Sequence, residues 1–160
     1  MVTKDKIWEL LEQVFDPEVP VLSVVDLGII RNVTVNDKSC KVTITPTYSG
    51  CPAMKTIEED IQKLFQQHQI EIEIESTLSP AWTTDWISEN GRNKLREYGI
   101  APPENEVDKS VLFAVATVVP CPLCRSKNTK MVSLFGSTAC KAHYQCNECL
   151  EPFDYFKCLK

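Results

Sequence analysis

Met54-Lys55-Thr56-Ile57-Glu58-Glu59-Asp60-Ile61-Gln62-Lys63-Leu64-Phe65 runs, after a short polar break, into Ile70-Glu71-Ile72-Glu73-Ile74-Glu75. In the first part Met54, Ile57, Ile61, Leu64 and Phe65 fall on one face of an α-helix. In the second, isoleucine alternates with glutamate, the period of a half-buried strand. Upstream, Cys40, Val42 and Ile44 alternate with Lys41, Thr43 and Thr45, which reads as another strand. A β-rich run from Ile29 to Val35 precedes it, with a turn over Asn36 to Ser39 between them.

Outward from this centre, Ile7, Leu10, Leu11, Val14 and Phe15 have helical spacing, with Thr3 as the N-cap. Pro17 ends that helix, because the residue before a proline is pushed toward extended conformations. Asp16-Pro17-Glu18-Val19-Pro20 is then a stiff loop. On the other side, Ser79-Pro80 starts a loop holding Trp82 and Trp86. A shorter helix is expected from Ser88 to Tyr98, with Gly99 just past its end. A polar linker follows over 101–110. Val111 to Val119 is apolar and β-branched, which predicts a strand.

The expected fold class is therefore α+β: a small mixed sheet with flanking helices over 1–100, then a small β module over 111–160. A length of 160 residues fits one ordinary domain or two small ones and excludes a large multidomain enzyme. The composition, 43% hydrophobic and 24% charged, excludes wholesale disorder. No apolar run of about 18 residues is present, so no transmembrane helix is expected. The start lacks the apolar region of a signal peptide, so the expected location is cytoplasmic, where thiols stay reduced.

Charge divides the chain in the same place. Residues 1–118 carry 11 Lys/Arg against 19 Asp/Glu, a net −8, and residues 119–160 carry 6 against 3, a net +3. The acidic first part argues against nucleic acid as a partner, because phosphate needs Lys and Arg. The eight cysteines divide the opposite way, with Cys40 and Cys51 in the first part and six in the second.

Cys121-Pro122-Leu123-Cys124 and Cys146-Asn147-Glu148-Cys149 form two Cys-x-x-Cys pairs. A turn at each pair puts two sulfurs near one point, and a β-hairpin between them brings the pairs together. The product is a tetrahedral four-sulfur site suited to Zn²⁺, with iron as the alternative, since the same geometry accepts both. A module of this size cannot build a self-sufficient core, so a metal staple has a physical purpose. Cys140 and Cys158 are additional thiols that are either small buried hydrophobes or further ligands. His143 is expected at the surface or in the core rather than on a metal.

Cys51 stands out singly. Pro52 suits the first position of the following helix, which makes Cys51 the N-cap. Free backbone N–H groups and the helix dipole there are expected to lower its pKa. Asp16, Glu18 and Asp26 lie in loops before the strands and are candidates to approach Cys51 and help bind a metal. His68 and His143 are the only histidines, and no Ser-His-Asp set or phosphate-cradling glycine loop exists. The chain is not expected to be catalytic alone.

The stretches Asp16-Pro17-Glu18-Val19-Pro20, Val25-Asp26-Leu27-Gly28-Ile29 and Thr45-Pro46-Thr47-Tyr48-Ser49-Gly50-Cys51-Pro52 resemble the metal–sulfur cluster assembly family of small α+β domains. Leu78-Ser79-Pro80-Ala81-Trp82-Thr83-Thr84-Asp85-Trp86-Ile87 narrows this resemblance. So do Phe135-Gly136-Ser137-Thr138-Ala139-Cys140-Lys141-Ala142 and Glu151-Pro152-Phe153-Asp154. Together they are similar to the PaaD family of phenylacetate-degradation proteins. The resemblance implies an accessory role in maturing iron–sulfur or di-iron centres of a phenylacetyl-CoA epoxidase, with its oxygenase and reductase components as partners. It implies Cys51 as the functional thiol, Asp16, Glu18 and Asp26 as acidic motif positions, and a transient iron–sulfur cluster as cargo. The rival readings are a structural docking subunit of the epoxidase, a zinc-ribbon nucleic-acid binder, and an electron carrier with iron at the four-cysteine site.

Overall fold

The computed structural model describes residues 1–103 and 118–157. It divides into two compact units, Met1–Gly91 and Arg92–Lys160. Most of the strand expected over Val111–Val119, most of the linker expected over 101–110, and Cys158 lie outside the described residues.

In the first unit, α1 spans Lys4–Leu11. The Thr3 hydroxyl accepts the Lys6 amide at 3.3 Å and caps it, and Ile7, Leu10 and Leu11 are buried. The helix stops short of Pro17. Val14 is still buried, but it lies beyond the helix end. Phe15 is 45% exposed and bridges to Ser23, so the helical face expected to include both residues is shorter than its periodicity implied.

Strands β1 (Ile30–Val35) and β2 (Ser39–Ile44) pair antiparallel. Helix α2 (Ala53–Gln67) then crosses over, and β3 (Glu71–Ser76) returns parallel to β2. The order β1-β2-β3 makes a mixed sheet with β2 in the centre. Burial follows the sequence periods. Cys40, Val42 and Ile44 on β2, and Ile57, Ile61 and Phe65 on α2, are shut from solvent. Met54 and Leu64 flank that helical stripe and are half-buried.

The loop after β3 packs back through Trp82, whose indole N–H donates to the Leu27 carbonyl at 2.9 Å. A 3-10 turn, Thr84–Trp86, sets the Trp86 ring under the Arg31 guanidinium at 3.4 Å. Helix α3 covers Glu89–Glu97, and the Ser88 hydroxyl caps it by accepting the Gly91 amide at 2.9 Å.

In the second unit, β4 (Ile100–Ala101), β5 (Thr129–Ser133), β6 (Lys141–Cys146) and β7 (Pro152–Phe156) form a sheet in the order β4-β7-β6-β5. Ile100 and Ala101 pair with Asp154 and Tyr155 of β7. That pairing draws residues assigned by sequence to the end of the first domain and the start of the linker into the second unit. The compact division falls within α3 rather than at residue 100. Tyr144 anchors the small core, stacked on Phe153 at 5.8 Å between ring centres and edge-on to Tyr155 at 5.7 Å. No described helix is long and apolar enough to cross a membrane.

Candidate functional site

Two sites emerge, one in each unit. In the second unit, Cys121, Cys124, Cys146 and Cys149 place their sulfurs within 4.8 Å of one another. Cys121 and Cys149 are 3.8 Å apart, and Cys124 and Cys146 are 3.5 Å apart. A tetrahedron with metal–sulfur bonds of about 2.3 Å needs sulfurs about 3.8 Å apart, so the donor set fits a zinc-sized ion. The same spacing is far longer than a disulfide bond of about 2.05 Å.

The two Cys-x-x-Cys turns are built alike. Each is followed by a residue in the left-handed region, Arg125 at φ 66° and Leu150 at φ 64°. The amide two residues past each second cysteine then turns onto sulfur: Ser126 donates to Cys124 and Glu151 to Cys149. Cys121 and Cys146 lie on the buried side of the ribbon, in its core with Tyr144 and Phe153.

Crowded thiols cannot all ionise without a cation among them. The Cys149 amide, aided by that of Glu148, pulls Cys146 down to about 7. On Cys149 the Glu151 amide pulls down, but desolvation and the thiols of Cys146, Cys124 and Cys121 push it up to about 12. A divalent ion held by Cys121, Cys124, Cys146 and Cys149 would supply the missing positive charge and let all four act as thiolates.

The second site surrounds Cys51, which is 9% exposed. The structure moves the N-cap to Pro52 and starts α2 at Ala53. The Ala53 amide still reaches the Cys51 sulfur, as does the Tyr48 hydroxyl, and both favour thiolate. Burial outweighs them, and the nearby carboxylates of Glu18 and Asp16 add to it. The Cys51 pKa is raised, opposite to the expectation from helix position alone. Cys40, buried on β2, is pushed up to about 11 by burial.

The loop carboxylates are held differently. Asp16 is buried, and its Oδ1 accepts the amides of Glu18 at 2.7 Å and Val19 at 3.1 Å, fixing the loop that carries Glu18. Asp26 is buried too, and its Oδ1 accepts from the Ser88 hydroxyl at 2.9 Å and the Asn90 amide group at 3.2 Å. Asp16 and Glu18 thus act electrostatically on Cys51, while Asp26 ties its loop to the start of α3.

The raised pKa has a measurable result. Metal-free protein should alkylate at Cys51 slowly, with a rate midpoint above that of a free thiol, about 8.5. The neutral buried thiols of Cys51 and Cys40 also favour folding. That stability is fully present below about pH 8.5 and is lost as pH rises through the raised folded values. Denaturation followed from pH 8 to 11 should show a steady fall. A Cys51 midpoint at or below that of free cysteine, read by mass spectrometry, would contradict the burial argument.

Comparison with known proteins matches both units. Residues 4–74 match the model described as iron-sulfur cluster assembly protein, and residues 105–157 match that of the PaaD zinc beta ribbon domain. A protein of Escherichia coli (strain K12), provisionally named as one component of a 1,2-phenylacetyl-CoA epoxidase, is 46% identical over 96% of this chain and 92% of its own length.

The chain belongs to the PaaD family.

A Porphyromonas gingivalis Fe-S protein maturation auxiliary factor is 38% identical over 58% of this chain and 90% of its own. Among solved structures, a DUF59 domain from Bacillus anthracis is 29% identical, with a TM-score of 0.54 over 57% of this chain and 90% of that one. A conserved hypothetical protein from Thermotoga maritima is 31% identical, with a TM-score of 0.51 over 59% of this chain and 94% of that one. The iron–sulfur assembly match contains Asp16, Glu18, Asp26 and Cys51, and the PaaD ribbon match contains all four clustered cysteines.

The remaining candidates lie apart from these clusters. Cys140 is buried with its sulfur 3.0 Å from the Thr138 hydroxyl, outside the four-cysteine group. His143 faces Asp154 across the β6–β7 ladder at 3.6 Å. One residue at Cys51 escaped the sequence reading as a site member: the Tyr48 hydroxyl touches the thiol. Thr45, just past the end of β2, buries a hydroxyl that has no hydrogen-bond partner among the described residues, although its place in an alternating strand pattern reads as solvent-facing.

Proposed function

We propose that this chain is a cytoplasmic accessory factor that matures the iron centres of a phenylacetyl-CoA epoxidase system, acting on its oxygenase and reductase components. The observation that carries this reading is the buried Cys51 thiol, set beside Glu18 and Asp16 and within reach of the Ala53 amide, inside the region that matches iron–sulfur assembly proteins. The name of the Escherichia coli relative, as a component of such an epoxidase, supports this choice of client. Iron or an iron–sulfur species is the cargo. Cys51 takes it by giving up its thiol proton to solvent as the metal species binds, and takes a proton back on release, when the Glu18 and Asp16 charges again favour the protonated thiol. A thiol that holds its proton at neutral pH is a weak permanent ligand, which suits a group that must let its cargo go. Asp16 and Asp26 serve by fixing their loops. The four-cysteine centre takes Zn²⁺ as a structural ion that staples the ribbon.

A docking subunit of the epoxidase is the second reading. It draws on the exposed Val132, Leu134 and Phe135 of the ribbon. Cys51→Ser separates the two, because serine is close in size yet binds soft metals poorly. Oxygenase and reductase purified from cells carrying this variant should contain less iron and sulfide and turn over more slowly. Wild-type loading and turnover would leave docking as the better account.

A further inference from the structure

The outer edge of β3 carries features that neither the Cys51 site nor the cysteine ribbon uses. β3 is the last strand in the order β1-β2-β3, and among the described residues no strand pairs with its outer side. The amides of Glu71 and Thr77 point inward, to the carbonyls of Lys38 at 3.3 Å and Ile44 at 2.9 Å. Strand alternation therefore turns the backbone groups of Ile72, Ile74 and Ser76 outward.

The two faces beside this edge differ. On the helix side, Ile72 and Ile74 are only half-buried. Ile72 continues through Ile70 into a cleft of about 420 Å³ that Gln62, Gln66, Gln69 and, at the strand's start, Glu71 also line. On the opposite side stand Glu71, Glu73 and Glu75, all exposed. Lys41 reaches Glu73 at 3.2 Å and Glu75 at 3.4 Å. Glu71 has no ion-pair partner among the described residues. Three carboxylates against one ammonium leave this side acidic.

Charges on an edge strand often serve only to repel unwanted pairing. That duty leaves the apolar cleft and the half-buried isoleucines unexplained. A strand laid along β3 would cover the isoleucines with every second side chain and present the others to the glutamates. We propose that the β3 edge receives an extended segment of a partner protein in which Lys or Arg alternates with apolar residues. A second copy of this chain does not suit the edge, because β3 against β3 would set glutamates against glutamates.

The test uses the full chain, ¹⁵N-labelled, titrated with a capped hexapeptide alternating lysine and valine. Saturable shifts are expected at the amides of Ile72, Ile74 and Ser76. The double variant Glu71→Lys with Glu75→Lys, which alters only exposed side chains, should weaken binding about tenfold or more at low salt. The same peptide with every backbone amide methylated, and a glutamate–valine peptide, should not bind. The proposal is overturned by shifts confined to other surfaces, by no saturable shift, or by equal affinity in the charge-reversed variant. Concentration-dependent dimerisation through β3 without peptide would overturn it as well.

Discussion

Cys146→Ser should abolish metal retention at the four-cysteine centre and unfold the ribbon, while the Met1–Gly91 unit keeps its own cooperative transition. Cys146, like Cys121, belongs both to the centre and to the ribbon core. It is fully buried, its pKa is pulled lowest by backbone amides, and it belongs to the same apolar cluster as Tyr144 and Phe153. Binding of a structural zinc ion contributes about 10–16 kcal/mol in small zinc modules, more than a ribbon core of this size supplies. The apolar cluster around Tyr144 draws every one of its members from the Arg92–Lys160 unit, so the loss should stay local. The readouts are metal content by elemental analysis, and near-ultraviolet signals of Tyr144 and Tyr155 against those of Trp82. A chelator should reproduce the effect in wild-type protein. A ribbon that stays folded without metal would refute the staple.

Gly28→Ala should destabilise the first unit by about 3 kcal/mol or more. Gly28 has φ +76°, and a Cβ there would lie 2.2 Å from the Trp86 carbonyl oxygen. Both the backbone strain and the clash count, because the obstructing atom is main chain and cannot rotate away. Relief requires the Thr84–Trp86 turn to move, which disturbs the Arg31–Trp86 stacking. Gly50→Ala is the control. Its φ is +78°, but nothing lies within 4 Å, so only the backbone cost of about 1–2 kcal/mol should appear. Equal denaturation midpoints for the two variants would show that the Trp86 contact carries no weight.

Much of the architecture is legible locally. The Ile–Glu alternation over 70–75 marks β3, and the 3.6-residue stripe before it marks α2, because one face of each must be covered. Thr3 and Ser88 announce helix starts, since a short hydroxyl side chain satisfies an otherwise free amide. The four-cysteine cluster is equally legible. Two Cys-x-x-Cys turns can each set two sulfurs at one point, so the spacing names the four thiols that the fold brings within 4.8 Å of one another.

What tertiary structure alone decided is the environment of those groups. Cys51 was expected to be acidic because a helix start stabilises thiolate. In the fold, its burial and the approach of Glu18 and Asp16, more than thirty residues earlier in the chain, outweigh that local effect. Phe15 follows a helical period yet lies past the helix end, because the chain turns there to bridge Ser23. Ile100 reads as the end of one domain and Ala101 as the start of a linker, but both join the sheet of the second unit, since β7 offers them backbone partners about fifty residues away. Sequence periodicity and spacing report what a segment does with its neighbours in the chain. Desolvation, long-range charge and strand pairing depend on distances that only the folded chain sets.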